Sequence, residues 1–301
     1  MNQSMNRFIN VGTIAFMSYP SIMKGEGPIE EVIKKIATDD YFNLIELTWI
    51  KDPETRKRVS KMLRESRLQV FYGAQPRLLT TGLNINDINE EKRQKALQSM
   101  IEGIDEAVEL GAKSFAFLSG KYEEVTKNES YAALLDSTFK ICEYAKGKGI
   151  KVALEVFDFD VDKKSIIGPC ELAKKFAEDI KVKYDNFGLL VDLSHMPLVR
   201  EKSKDTLQKL KEHIVHVHIG NAVIKEGCAA FGDAHPRFGF ENGENDVEEL
   251  KDYLEGLFDI GYLSDKAPGY ISFEVKPWED EDSDVILTHS KRTLNEAWSK
   301  L

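Results

Sequence analysis

A chain of 301 residues with 42% apolar and 31% charged side chains can bury a large core, and its length admits one big domain or two ordinary ones. The net charge of -10 disfavours a nucleic-acid partner, whose phosphates Lys and Arg would have to hold, and no apolar run is long enough for a membrane-spanning helix. Residues 1–7 are polar with no secretory apolar segment after them, and Cys142, Cys170 and Cys228 are odd in number without paired metal spacing, so a soluble, cytoplasmic protein with reduced thiols is expected.

Apolar, β-branched runs alternate with helical patterns along the whole chain. The first run covers residues 10–16. Pro28, a favoured first-turn residue, opens a helix with Ile29, Val32, Ile33 and Ile36 on one face. The second run (42–49) is followed by a charged helix (53–67) and a third run (68–74). A polar stretch (75–89) leads to a long helix (90–110) with Gly111 placed as its C-cap, and then to the fourth run (113–118). A helix over 130–148 ends at Gly149, before the fifth run (150–157). Helices at 169–180, 203–213, 247–260 and 284–298 alternate with runs at 187–193, 214–221 and 270–275.

Eight alternations without a linker predict a single domain over residues 1–301, of the α/β class, closed into a (β/α)8 TIM barrel. An open doubly wound sheet is the rival, but no Gly-x-Gly-x-x-Gly follows the first strand. Two connections, 75–89 and 221–246, are longer than usual and leave the strands' C-terminal ends. Barrel enzymes carry their sites there, so both are expected to lie over the active-site face.

Polar residues interrupt the later apolar runs near their ends: Glu155, Asp192, His218 and Glu274, on the fifth to eighth strands. Adjacent strands lie roughly 5 Å apart, so these side chains can converge near the barrel mouth. Three unpaired carboxylates would repel one another there. A divalent cation removes that cost, and the mixed carboxylate and imidazole set suits Mn(II), Mg(II), Co(II) or Zn(II), with manganese favoured. Five of the six histidines lie between His195 and His235. His216 shares the face of His218 one layer deeper and is expected to be a satisfied core residue. His195, three residues past Asp192, is a candidate proton carrier, and Asp233 and His235 can deliver a further pair from the seventh connection. Arg237, Lys276, Asn221 and Trp49 are candidates for substrate binding, and Tyr19, Arg77 and Trp278 also sit near strand ends.

With Leu154-Glu155, Val191-Asp192-Leu193-Ser194-His195, His216-Val217-His218-Ile219-Gly220 and Phe273-Glu274, the chain resembles the xylose-isomerase-like barrel superfamily, often labelled sugar phosphate isomerase/epimerase. The resemblance implies one metal held by Glu155, Asp192, His218 and Glu274. Three branches compete. In the ketose 3-epimerases the two glutamates act as opposed acid and base, but that branch carries an Arg shortly after its His-x-His-x-Gly, where this chain reads Asn221-Ala222-Val223-Ile224. The apurinic endonucleases need histidines at strands three and four, and residues 71–76 and 115–120 contain none, so DNA repair is disfavoured. The third branch is the catalytic α subunit of the C-glycoside deglycosidases. Gly232-Asp233-Ala234-His235-Pro236-Arg237-Phe238-Gly239, Gly243-Glu244-Asn245-Asp246-Val247-Glu248-Glu249-Leu250 and Ser272-Phe273-Glu274-Val275-Lys276-Pro277 are similar to it.

That last resemblance implies a lyase cleaving 3-oxo C-glycosides, and a hetero-oligomer with a small β subunit. Proton abstraction beside the carbonyl would fall to His195 or Glu155, with Glu274 as the facing carboxylate in an epimerase and His235 as the acid that protonates the leaving carbon. Ketose 3-epimerisation or sugar isomerisation is the alternative, and a non-catalytic sugar-binding barrel is another.

Overall fold

The structure, a computed structural model, describes residues 3–301. Eight parallel strands close into a barrel in sequence order: β1 Ile9–Ile14, β2 Leu44–Leu47, β3 Gln69–Gly73, β4 Ser114–Leu118, β5 Lys151–Glu155, β6 Phe187–Asp192, β7 Ile214–Ile219 and β8 Gly269–Phe273. Pairing of β1 with β8, Ile9 against Gly269 through Thr13 against Phe273, makes the closure and removes the open-sheet rival. Among the described residues no helix is long and apolar enough to cross a membrane.

The helices form where local chemistry dictates. Asp52 caps Pro53–Ser66 by accepting from Thr55 N, and Asn89 caps Glu90–Leu110 by accepting from Lys92 N. Asp246 and Glu249 cap Val247–Asp259 reciprocally. Gly111 takes the left-handed conformation expected of it, whereas Arg67 fills the equivalent place after Pro53–Ser66 at φ 61°. The expected helix at 130–148 begins earlier, as Lys127–Gly147, and that at 203–213 stops earlier, as Ser203–Leu210.

The connection at 75–89, read as polar loop, begins with a short helix, Gln75–Leu79. Two more short helices sit at strand ends where none was expected, Ala15–Ser18 and His195–Val199. All three begin within three residues of a strand's end. The connection from β5 to the helix Cys170–Lys181 is also long, and its importance was not foreseen.

Side chains facing into the barrel stack in layers, as strand alternation requires. Phe71 lies deep, its ring 4.9 Å from those of both His216 and Tyr270. Above it the register sets His218 beside Asp192 and Ser272, and Glu46 beside Ile14. Gly220 permits the close approach of β7 and β8, since a Cβ there would lie 2.4 Å from the carbonyl oxygen of Glu274.

Candidate metal centre and active site

Glu155 and Asp192 end their strands, His218 is one residue from the end of β7, and Glu274 follows β8. One donor atom from each of the four can be chosen so that all lie within 4.8 Å of one another, and all four residues are buried. His218 Nδ1 stands 2.7 Å from Glu274 Oε2 and 3.5 Å from Glu155 Oε1. Gln75 donates to Glu155 Oε2 at 2.6 Å, while Glu155 Oε1 is buried with no hydrogen-bond partner. Such an orphaned carboxylate oxygen, pointed at other donors, is costly unless a cation satisfies it. The donor chemistry, three carboxylates and an imidazole, fits a divalent ion on the same grounds.

His218 turns its other nitrogen toward Glu46, with Nε2 3.0 Å from Oε1. His216 Nε2 reaches the same oxygen at 2.6 Å. His216 is therefore less a passive core residue than half of a clamp on Glu46. Burial works against charge on Glu46, yet the two imidazoles hold its carboxyl well below the ordinary range. Burial likewise opposes a proton on His218, but Glu46 and Glu274 hold its pKa well above the usual value, whereas burial leaves that of His216 lowered. This carboxylate–histidine arrangement fixes ring orientation and leaves Nδ1 facing the carboxylates.

A second group adjoins the first through Asp192, whose Oδ2 accepts from the hydroxyl of Ser194. Asp233 Oδ1 lies 3.0 Å from His195 Nε2 and 2.8 Å from His235 Nε2, and the Asp233 side chain is turned inward, only 3% exposed. His195 Nδ1 is 2.8 Å from the carbonyl oxygen of Val156. Burial opposes charge on these imidazoles too, but Asp233 holds His195 well above the usual range and raises His235 to about 9. Burial pushes Glu274 up to about 7.

Above these groups opens a chamber of about 190 Å³. Glu46, His218, Asp233, His235, Glu274, Lys163 and Lys276 supply its polar wall, and Ile14, Phe16, Met17, Met23, Pro76, Leu79 and Phe157 much of the rest. Gly73 lines it because it is small: a Cβ there would lie 2.9 Å from Gln75 Oε1, the amide that holds Glu155.

The proposed substrate groups divide. Lys276 lines the chamber and makes no ion pair among the described residues. The other three have committed side chains. Asn221 is fully buried, donating to the Arg237 carbonyl at 2.9 Å and accepting from Asn245 N at 2.8 Å, so it staples the seventh connection. Arg237 pairs with Glu281 at 2.9 Å, and Trp49 Nε1 donates to Met23 O. Of the further strand-end residues, Tyr19 donates to Asp284, Arg77 is buried against Glu106, and the Trp278 ring packs edge-on against Phe240. Of the two proton-carrier candidates, His195 is fully buried outside the chamber wall, whereas His235, with Nε2 on Asp233 and Nδ1 3.2 Å from Ser194 Oγ, lines it.

Sequence reasoning missed Glu46, Gln75 and Lys163. Glu46 was detectable, since Ile45-Glu46-Leu47 interrupts an apolar strand as the four ligand candidates do. Gln75 and Lys163 depend on how two connections fold and carry no such mark.

Residues 35–288 match the family described as xylose isomerase-like TIM barrel. The chain belongs to this family. Among curated proteins, none matches it by sequence. Among solved structures, this xylose isomerase-like barrel is similar to an L-ribulose 3-epimerase at 20% identity and a TM-score of 0.70, covering 97% of this chain and 96% of that one. It is similar to a D-tagatose 3-epimerase-like protein at 20% identity and 0.68, covering 96% and 99%. A 3-keto-D-glucoside 4-epimerase from E. coli aligns at 16% identity and 0.66, covering 97% and 99%. At these identities the likeness is one of fold.

Proposed function

We propose that the protein is a divalent-metal-dependent enzyme that removes a proton from the carbon beside the carbonyl of a keto-sugar. The observation that carries this is the orphaned Glu155 oxygen within a four-residue donor group, directly under a chamber that Glu274 and His235 both line. Glu155, Asp192, His218 and Glu274 would hold the ion, with Mn(II) favoured by the hard donor set. Such an ion, when bound, polarises a ketone and its neighbouring hydroxyl and so acidifies the intervening C–H.

The rest of the chemistry belongs to the side chains. Among the three carboxylates of the donor group Glu274 is the one on the chamber wall, and it is assigned as the base, in place of His195 or Glu155. His235, held by Asp233, faces the same chamber and is assigned as the proton donor. Returning the proton to the opposite face of the same carbon gives epimerisation, and moving it to the neighbouring carbon gives isomerisation. The neighbours named as ketose 3-epimerases support this family of outcomes.

A second reading is cleavage of a 3-oxo C-glycoside, in which the electron pair left by the proton expels the group on the next carbon and His235 protonates it. The apolar wall of Phe16, Met17, Met23, Pro76 and Leu79 favours it, because a free hexose presents hydroxyls on all sides while an aglycone does not. The neighbour named for a 3-keto-D-glucoside adds support for an oxidised glucoside as substrate. In that case a small β subunit would be the partner.

Incubation of Mn(II)-loaded protein in heavy water with free ketoses and with 3-oxo O- and C-glycosides, read by mass spectrometry, tests both. Deuterium uptake without bond cleavage indicates an epimerase or isomerase, and release of aglycone without added hydrolase indicates the lyase. The same incubation with and without a candidate small subunit tests the partner. A barrel that only binds sugar exchanges nothing, and that result rejects the enzyme reading.

A further inference from the structure

The connection after β5 spends a fully buried carboxylate on its own shape. Asp158 accepts backbone N–H groups from Val161 at 2.9 Å, Asp162 at 2.8 Å, Lys163 at 2.7 Å and Lys164 at 3.1 Å. Four amides on one carboxylate satisfy its charge and fix the turn around it. Lys164 adopts φ 53° to close this turn, and Ser165 N donates back to the Asp158 carbonyl at 2.8 Å.

This turn delivers Lys163 to the chamber wall. Its Nζ lies 2.8 Å from Asp162 Oδ2 and 2.8 Å from Asp233 Oδ2, with 23% of the side chain exposed. Burial opposes the charge, but Asp233 and Asp162 hold the ammonium firmly protonated. An ammonium has three N–H donors, and two are occupied here. One is left for whatever fills the chamber.

The charge balance around it limits what that can be. Two carboxylates, Asp162 and Asp233, already outweigh the charge of Lys163. A phosphate dianion on Lys163 would stand beside these two carboxylates, whereas a hydroxyl accepts one N–H at no such cost.

We propose that Lys163 is a substrate-binding residue that donates to a hydroxyl of an uncharged sugar and so selects it over a phosphorylated one, and that Asp158 positions it. This rests on the keto-sugar reading above. The test uses Mn(II)-loaded protein and three probes: D-fructose, methyl 3-oxo-β-D-glucopyranoside and D-fructose 6-phosphate. Calorimetry gives Kd, and deuterium exchange gives KM and kcat for each sugar that reacts. Metal content is measured for every variant.

Wild-type protein is expected to bind at least one neutral probe about tenfold or more tightly than the phosphate. Lys163→Met should raise Kd and KM for that probe about tenfold, with kcat changed much less and metal content unchanged. Lys163→Arg should recover part of the loss. Asp158→Ala should copy Lys163→Met, and the double variant should be no worse than either alone; if Asp158→Ala does not fold, the Lys163 variants decide alone. Equal or tighter binding of the phosphate, or unchanged Kd and KM in metal-replete Lys163→Met, overturns the proposal. Absence of any binding or exchange by the wild type instead overturns the keto-sugar reading itself, and the role of Lys163 with it.

Discussion

Glu46 shows how one side chain governs a site it does not enter as a ligand candidate. It grips Nε2 of His218, so Nδ1 is left toward Glu155 and Glu274, and His216 grips Glu46 in turn. Glu46→Gln keeps the size but removes the charge that orients and polarises the ring. We expect it to weaken Mn(II) binding by about 10–100-fold, as loss of such a supporting carboxylate does in other metal sites. Titration of metal-free protein with Mn(II) followed by paramagnetic resonance measures this, and an unchanged Kd would mean that His218 is oriented by β7 alone. The four ligand candidates were legible in the sequence because each breaks an apolar run. Glu46 breaks one too, but its partners lie at positions 216 and 218, and only closure of the barrel brings β2 within reach of β7.

At the scale of elements, the connection after β3 shows why residues near strand ends mislead. Arg77 and Trp49 stand where a sugar could be met, yet the helix Gln75–Leu79 turns Arg77 inward. Its Nη2 lies 2.7 Å from Glu106 Oε2 and its Nε donates to the hydroxyl of Tyr72 at 2.8 Å, with the guanidinium packed on the Trp49 ring. Glu106 also accepts from Ile50 N at 2.6 Å, so the pair ties the connections after β2 and β3 to the long helix Glu90–Leu110. Both side chains are 8% exposed. Arg77→Met leaves Glu106 in a dry place with Arg56, 3.5 Å away, as its one charged partner, and should cost about 3 kcal/mol of stability. The combined Arg77→Met and Glu106→Leu variant should regain much of it. Urea unfolding reads both, and a loss below about 1 kcal/mol for the single variant would show that the pair is solvated or that Arg56 takes the place of Arg77. Strand and helix periods reveal where a connection begins and how long it is. They carry no information on which way its side chains turn, and so Gln75 and Lys163 stayed hidden while Arg77, Trp49 and Asn221 looked available.

For the whole molecule, alternation of strand and helix sufficed to predict a closed eight-stranded barrel, because eight right-handed units with both sheet faces covered leave few other packings. Closure carries an electrostatic consequence, for it gathers Glu46, Glu155, Asp192, Asp233 and Glu274 at one end of the barrel with His195, His218 and His235 among them. Without a cation the cluster relies on protons. Glu274, at about 7, and the imidazoles of His195, His218 and His235 all have folded-state pKa values above their unfolded ones. A group of that kind contributes stability that is complete below its unfolded pKa and is lost as pH rises through the folded value. The metal-free protein should therefore lose stability from these groups between pH 5 and about 9. Bound metal requires the same Glu274 and His218 without their protons, so its affinity must rise over that interval. The two slopes have opposite sign and the difference between them is the observable. At a metal concentration about 100-fold above Kd the gain is about 2.7 kcal/mol, or several degrees in Tm for a chain of this size. Thermal unfolding at pH 5, 7 and 9, with chelator and with Mn(II), should show a Tm difference that is smallest at pH 5 and grows with pH. A difference that is constant, or largest at pH 5, would mean that the ion does not displace protons from this cluster and that it binds elsewhere.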